Sequence, residues 1–189
     1  MALRDMTRLV YAYQSMRPVG PARSELGNQD TVFTGSGADV ISAGSRDVIT
    51  GGSGDDVISA TGGDGNRLSG MSGDDEFFIG SAANRALGGA GNDIFTVLET
   101  AGTNYLNGGA GADQFWLIDA PGDMPAAKQY VMNFSAGEDK VGLRGVTFSA
   151  LSFNQVGADA LLSVSGTAIG HFNNLSVATL NNQANFLFG

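Results

Sequence analysis

The chain has 189 residues, of which 19 are acidic and 10 are basic, so its formal charge is −9 at pH 7. This charge disfavours a nucleic-acid or anionic-membrane partner and favours cations. The absence of cysteine excludes a disulfide framework and a thiolate zinc site, and no apolar run approaches the ~18 residues of a membrane span. Glycine is abundant, with 29 residues and no collagen-like triplet period, which predicts many tight turns.

The N-terminal segment, residues 1–25, predicts a short amphipathic helix. Six apolar residues between Leu3 and Met16 recur at helical spacing before Pro18 ends the pattern. A helix that caps the fold and a remnant of a preceding domain both fit this pattern, and a partner-binding helix is a third alternative. Charges such as Arg8 interrupt the apolar run, so the segment is a poor secretory signal peptide.

Residues 26–116 carry an internal repeat of about nine residues. An acidic or amide residue recurs at Asp30, Asp39, Asp47, Asp56, Asn66, Asp75, Asn84, Asp93, Asn104 and Asp113. The residues two positions later are Val32, Ile41, Ile49, Ile58, Leu68, Phe77, Ala86, Phe95, Leu106 and Phe115. Because strand side chains alternate, each repeat supplies one inward apolar side chain. Such units bury these side chains only when they stack, so the pattern predicts a solenoid.

Alternate repeats differ, and the stronger set is rich in glycine and aspartate. Its five members read GSGADVIS, GGSGDDVIS, GMSGDDEFF, GGAGNDIFT and GGAGADQFW. They resemble the G-G-x-G-x-D-x-U-x nonapeptide of the RTX (repeats-in-toxin) hemolysin-type calcium-binding family. The resemblance implies an all-β fold, a parallel β-roll that is a right-handed β-solenoid with two nonapeptides per coil.

The resemblance also implies a row of Ca²⁺ ions along the edge where the stronger repeats stack. Backbone carbonyls and one aspartate from each of two stacked turns would supply about six oxygens, within the range that Ca²⁺ prefers. Five turns leave four gaps, so we expect about four ions, whose charge would nearly cancel the −9 of the chain. The predicted metal-binding residues are Gly35, Gly37, Asp39, Gly51, Gly52, Ser53, Gly54, Asp56, Gly70, Met71, Ser72, Gly73, Asp75, Gly88, Gly89, Ala90, Gly91, Asp93, Gly108, Gly109, Ala110, Gly111 and Asp113.

The weaker repeats replace aspartate with Asn66, Asn84 and Asn104. Neutral amides are poor calcium ligands, but stacked asparagines can hydrogen-bond to each other without an ion. The sequence therefore predicts an asparagine ladder on the opposite edge. Partial calcium occupancy is the alternative, with Asp30 and Asp47 as its candidate ligands.

Residues 117–189 lack the nonapeptide and contain several short apolar runs, which predict a β-rich C-terminal cap over the open end of the roll. The segment 130–145 resembles the Asp-Phe-x-x-Gly-x-Asp stretch that follows the repeats in RTX proteins. Phe134, Gly137 and Asp139 match this pattern, whereas Asn133 replaces its first aspartate. The resemblance further implies a C-terminal type I secretion signal and an extracellular location.

The sequence offers no catalytic constellation. His171 is the only histidine, and no G-x-S-x-G, H-E-x-x-H or P-loop motif occurs. We therefore expect no enzyme but a calcium-binding module that folds on binding Ca²⁺ after secretion. The alternative is an extracellular carbohydrate-binding or adhesin module on a calcium-stabilised roll, whose contacts to an acidic polysaccharide would come from Arg67, Arg85, Tyr105 and Trp116.

Overall fold

The structure is a computed structural model that describes residues 9–11, 23–98 and 100–189, and these residues are almost entirely β. Their 18 strands are, in chain order, β1 (Leu9–Tyr11), β2 (Arg23–Glu25), β3 (Thr31–Ser36), β4 (Val40–Ser42), β5 (Val48–Ser53), β6 (Val57–Ala60), β7 (Arg67–Ser72), β8 (Glu76–Ile79), β9 (Arg85–Ala90), β10 (Ile94–Val97), β11 (Tyr105–Ala110), β12 (Gln114–Ile118), β13 (Gln129–Val131), β14 (Lys140–Leu143), β15 (Leu151–Val156), β16 (Asp159–Val164), β17 (Thr167–Phe172) and β18 (Phe186–Phe188). A single helical turn, α1 (Val177–Leu180), and two short 3₁₀ segments lie between the last strands.

The strands form two sheets, and through the repeats the chain alternates between them. Sheet A has the order β1-β3-β5-β7-β9-β11-β13-β17-β16-β15, and sheet B has the order β18-β14-β12-β10-β8-β6-β4-β2. Neighbouring strands in the repeats are parallel, because each coil returns to the same sheet in the same direction. This arrangement is the β-solenoid that the spacing of the repeats predicts.

The ten apolar residues of the repeat form the core between the two sheets. In sheet A, Ile49 pairs in register with Val32 on one side and with Leu68 on the other. All ten side chains are at most 3% exposed, which confirms the prediction that they point inward. In sheet B, Phe77, Phe95 and Phe115 stack with ring centroids 4.8 and 5.1 Å apart, so the largest core side chains also follow the coil repeat.

The helix prediction for the N-terminal segment is wrong for Leu9–Tyr11, which form strand β1. This strand pairs in parallel with β3 and extends sheet A by one strand. An edge of a sheet presents a row of backbone donors and acceptors, and pairing with it outweighs a helical pattern of apolar residues. The rest of the predicted helix lies outside the described residues.

The C-terminal part of the chain continues both sheets of the solenoid. Strand β14 adds in parallel to β12, and β18 adds to β14, while β13 and then β17 extend sheet A beyond β11. Strands β15, β16 and β17 finish sheet A as an antiparallel meander. The segment is therefore β-rich, as its sequence predicts, and its strands lie on the last coil. In the described part of the chain, no helix is long and apolar enough to cross a membrane.

Candidate metal centre

The turns of the solenoid stack into two edges with different chemistry. The aspartate edge contains the turns 34–39, 51–56, 70–75, 88–93 and 108–113, which lead from sheet A to sheet B and hold all the predicted metal-binding residues. The amide edge lies on the other side and contains Asp30, Asp47, Asn66, Asn84 and Asn104. The structure thus brings the predicted residues together, since equivalent turn positions pair in register from coil to coil.

The aspartates of the aspartate edge form a continuous hydrogen-bonded ladder. The backbone N–H of each aspartate donates to Oδ1 of the aspartate one coil further on, at 2.8–2.9 Å. Each side chain is at most 4% exposed. The ladder therefore holds one buried carboxylate in each turn of the aspartate edge.

The second carboxylate oxygen has no such partner in four of these turns. Oδ2 of Asp56, Asp75, Asp93 and Asp113 is buried and accepts no hydrogen bond from any described residue. A buried carboxylate oxygen that accepts no hydrogen bond loses its hydration without compensation, which costs on the order of several kcal/mol. Oxygens of this kind are suited to a bound cation.

Glycine at the first turn position makes room for this oxygen. A Cβ on Gly51 would overlap Oδ2 of Asp56, and a Cβ on Gly70 would overlap Oδ2 of Asp75. The same relation holds for Gly88 with Asp93 and for Gly108 with Asp113. Any larger residue would displace the carboxylate, so these four glycines are required by the close approach of the carboxylate oxygen.

Backbone carbonyls line the gaps between successive turns from both sides. The carbonyl oxygens of Gly35 and Gly37 face the following turn, where they would meet a Cβ on Gly52 or Gly54. The carbonyl oxygen of Gly108 faces the preceding turn, 2.6 Å from the place of a Cβ on Gly88. Carbonyl and carboxylate oxygens are the ligand types that Ca²⁺ prefers. No cluster of three His, Cys, Asp or Glu side chains that could hold a metal occurs among the described residues.

Burial changes the acidity of the aspartate edge. Loss of hydration, aided by neighbouring carboxylates and opposed by backbone N–H donors, raises the pKa of Asp56, Asp75 and Asp93 to about 6. Burial raises the pKa of Asp113 for the same reason. The carboxylates are thus held in an environment that disfavours their charge.

The amide edge repeats the same backbone ladder without unpartnered oxygens. Asn66 and Asn84 each donate a backbone N–H to the side-chain oxygen of the next rung, at 2.9 and 2.8 Å. The Nδ2 group of Asn66 donates to Gly44 O and Gly63 O, which belong to two successive turns, and Nδ2 of Asn104 bonds equivalent carbonyls. The predicted asparagine ladder is confirmed.

The two aspartates of the amide edge are also satisfied by the protein itself. Oδ2 of Asp30 accepts from the N–H of Gly27 at 2.9 Å, and Oδ2 of Asp47 accepts from the N–H of Gly44 at 2.7 Å. Oδ1 of Asp47 belongs to the ladder, since it accepts from Asp30 N at 2.8 Å. This edge therefore lacks the orphaned carboxylate oxygens that mark the aspartate edge.

Sequence reasoning missed Gln129, and it matched Asp139 to the segment that follows RTX repeats without placing it as the last rung of a ladder. Gln129 Oε1 accepts the backbone N–H of Asn104 at 3.1 Å and completes the amide edge. Asp139 Oδ1 accepts the backbone N–H of Asp113 at 2.9 Å and completes the aspartate edge. The signal that could have found both is the apolar residue two positions later, Val131 or Val141, which repeats the pattern of every earlier rung.

A second, exposed ladder on the aspartate edge was also missed. Asp74 N donates to Asp55 Oδ1, Asn92 N to Asp74 Oδ1, and Ala112 N to Asn92 Oδ1. These side chains directly precede the buried aspartates in the sequence. Asp55 and Asp74 thus add negative charge just outside the row of gaps.

The residues considered for polysaccharide binding fall on two different surfaces. Arg67 and Arg85 are register neighbours on the outer face of sheet A, and the Arg85 guanidinium lies 5.4 Å from the ring centroid of Tyr105. Trp116 belongs to sheet B, where it packs against Gly142 and Arg144. The four residues therefore do not form one site.

The single histidine participates in packing and in one hydrogen bond to an aspartate. His171 Nε2 lies 2.8 Å from Asp159 Oδ2, and the ring stacks on Tyr130. The hydrogen bond from His171 lowers the pKa of Asp159.

The sequence profile named Peptidase M10 serralysin C terminal matches residues 65–182, which is more than half of the chain. The chain belongs to this family. The RTX calcium-binding nonapeptide repeat profile (4 copies) matches residues 27–58 and 44–66, almost all of which precede that segment. The domain is thus a calcium-binding β-roll module with the repeats of the RTX family, and Ca²⁺ is its cofactor. Both matched modules are non-catalytic and are typical of proteins secreted by the type I pathway.

No curated protein is similar enough in sequence to match this serralysin C-terminal domain. Among solved structures, it is similar to the extracellular lipase LipA from Serratia marcescens, with 14% sequence identity and a TM-score of 0.35. The match covers 90% of this chain and 38% of the lipase chain.

Proposed function

We propose that the serralysin C-terminal domain binds a row of Ca²⁺ ions along the aspartate edge and folds as it binds them. The observation that carries this proposal is the set of buried Oδ2 atoms of Asp56, Asp75, Asp93 and Asp113, which accept no hydrogen bond from the described residues. A cation between stacked turns would satisfy these oxygens, and no group of the described residues does so.

Each ion would take its ligands from two successive turns. Asp56, Asp75, Asp93 and Asp113 and the carbonyls of their glycine-rich turns are the proposed ligands, because successive turns direct oxygens into the gap between them. Ca²⁺ accepts six to eight oxygens in flexible geometry. Mg²⁺ requires a smaller, nearly octahedral shell and sheds its water reluctantly, so we expect the gaps to select Ca²⁺.

Folding would depend on the ions because the ladder stacks carboxylates one coil apart. Without a cation these charges are buried and repel each other, as the raised pKa values of Asp56, Asp75 and Asp93 indicate. In the unfolded chain the carboxylates are solvated and distant. The free energy of calcium binding would therefore contribute directly to the free energy of folding. The roll would be ordered only where the calcium concentration is high.

A calcium titration of the full chain tests this proposal. We expect circular dichroism to lose most of the β signal in excess chelator and to regain it on addition of Ca²⁺, with saturable heat in calorimetry. Mg²⁺ at equal concentration serves as the control and should restore little signal. An unchanged spectrum and melting temperature in chelator would show that the core and the amide edge suffice for folding.

We further propose that the domain is a non-catalytic export module that folds outside the cell. Its membership of a family typical of type I secretion supports this role. The test is expression in a bacterium with a type I apparatus, followed by measurement of the chain in the culture medium. Export should require the apparatus, and equal release from a strain that lacks the apparatus would contradict the proposal.

A further inference from the structure

The two ends of the aspartate edge differ from its middle. In the middle, successive turns begin with glycine and each contributes an unpartnered Oδ2, from Asp56 to Asp113. At the first turn, Thr34 stands at the position of these glycines. At the last turn, Asn133 lies against the glycines of turn 108–113.

Thr34 fills the first gap with its own side chain. The residue is fully buried, and its Oγ1 donates a hydrogen bond of 2.6 Å to Gly51 O in the following turn. Its Cβ lies at the turn position where Gly51 and Gly70 leave space for a carboxylate oxygen. A hydroxyl group and two further carbon atoms thus stand between turn 34–39 and turn 51–56, and one carbonyl is already engaged.

Asn133 closes the other end. Its Oδ1 accepts the N–H of Gly108, and its Nδ2 donates to Gly109 O, both at 3.0 Å. This donor group does on the aspartate edge what Nδ2 of Asn66 does on the amide edge, where it bonds backbone carbonyls without an ion. The neutral amide therefore occupies the side of the turn at which another ion would bind.

The last carboxylate of the ladder is also saturated. Asp139 Oδ1 accepts from Asp113 N at 2.9 Å, and Oδ2 accepts from Ser135 N at 2.7 Å. Unlike Asp113, it has no orphaned oxygen. The cap can thus end the row without a further cation.

We propose that the row holds three Ca²⁺ ions, in the gaps between turns 51–56, 70–75, 88–93 and 108–113, and that Thr34 and Asn133 are neutral plugs that end it. This inference rests on the proposed function and revises the sequence-based expectation of about four ions. Four orphaned carboxylate oxygens flank these three gaps, so every gap has a charged ligand on both sides.

The experiment counts calcium ions on the full chain by native mass spectrometry and calorimetry, with Ca²⁺ as the probe. Wild type should bind three ions, and Thr34→Gly should bind four, because glycine restores the turn that the later coils have. Asn133→Asp should also add one ion, since a carboxylate replaces the amide donor beside Gly109 O.

Matched controls separate the plug from a general change in stability. Thr34→Ser keeps the hydroxyl group and Thr34→Val keeps the volume, and both should leave the count at three. Circular dichroism in calcium verifies that each variant is folded. A count of four or more in wild type, or no added ion in folded Thr34→Gly, overturns the inference. Binding of no calcium by wild type overturns instead the proposed function.

Discussion

The aspartate edge and the asparagine rungs of the amide edge share the same backbone ladder and differ in a single side-chain atom per rung. On both edges a side-chain oxygen accepts the N–H of the preceding rung, as in Asp75 with Asp56 and Asn84 with Asn66. The other atom is an orphaned oxygen in Asp75 and a donating nitrogen in Asn84. The amide nitrogen donates hydrogen bonds within the protein, whereas the carboxylate oxygen would be satisfied by a cation from solution. One fold thus contains a self-sufficient edge and an ion-dependent edge.

The largest expected effect comes from making the aspartate edge resemble the amide edge at one rung. Asp75→Asn keeps the oxygen that accepts Asp56 N but removes a charged ligand from two neighbouring gaps. If calcium stands 100-fold above its Kd, loss of two sites lowers the free energy of unfolding by about 5 kcal/mol. Calcium counting and thermal melting in calcium measure this.

The end of the row offers a matched control for this variant. Asp113→Asn removes a ligand from one proposed gap, so it should lose one ion. Its loss in free energy of unfolding should be about half of that caused by Asp75→Asn. Equal losses from Asp75→Asn and Asp113→Asn would contradict a row in which inner aspartates serve two ions.

The reciprocal change tests the amide edge. Asn84→Asp removes the donor to Ser81 Oγ and Asn104 Oδ1 and places a carboxylate oxygen against these groups. We expect a loss of about 2–3 kcal/mol from the broken bonds, with the calcium count unchanged. Melting and calorimetry check both parts. Asn84→Ala is the control without added charge, and a gain of one ion in Asn84→Asp would break the distinction between the edges.

The pH dependence of stability should change sign with calcium. Burial raises the pKa of Asp56, Asp75 and Asp93 from 3.8 to about 6 in the folded state, so folding without metal is favoured by protonation. In chelator this contribution is fully present below the unfolded pKa and is lost as pH rises towards 6. The melting temperature should therefore fall across this window in chelator.

Saturating calcium should produce the opposite trend, because protons then compete with ions for the same carboxylates. Melting curves at several pH values, with and without chelator, test the reversal. The triple variant with Asn at positions 56, 75 and 93 is the control and should show a much smaller slope. A melting temperature that rises with pH in chelator would contradict the assigned electrostatics.

The smallest expected effect concerns one irregular turn of the aspartate edge. Met71 has φ of 84°, in the left-handed region, at the position where the neighbouring turns have Gly52 and Gly89. Met71→Gly should therefore relieve strain and stabilise the folded state by up to about 1 kcal/mol. Thermal melting in calcium measures the gain. Met71→Ala keeps the Cβ and should bring none, so equal stabilisation by both variants would assign the gain to the exposed side chain instead.

The spacing of the repeats determined the solenoid and its inward residues, and the resemblance to the RTX nonapeptide implied the division into two edges. In each repeat the turn residue precedes the inward apolar residue by two positions, as Asp56 precedes Ile58 and Asn84 precedes Ala86. A pattern that recurs about every nine residues can be recognised without the tertiary structure. The asparagine ladder was predictable for the same reason, since the residue type at each rung states whether a donor is present.

Only the tertiary structure decided how the ladders begin and end. Leu9–Tyr11 became a strand because an open sheet edge was available to it. Gln129 and Asp139 became rungs although the regular spacing had stopped. The contacts of Thr34 with Gly51 and of Asn133 with Gly109 join residues 17 and 24 positions apart. Residue type and local spacing determine the conformation and the hydrogen-bonding groups of each coil. Contacts between coils form only after the coils stack, and these contacts determine where each ladder begins and ends.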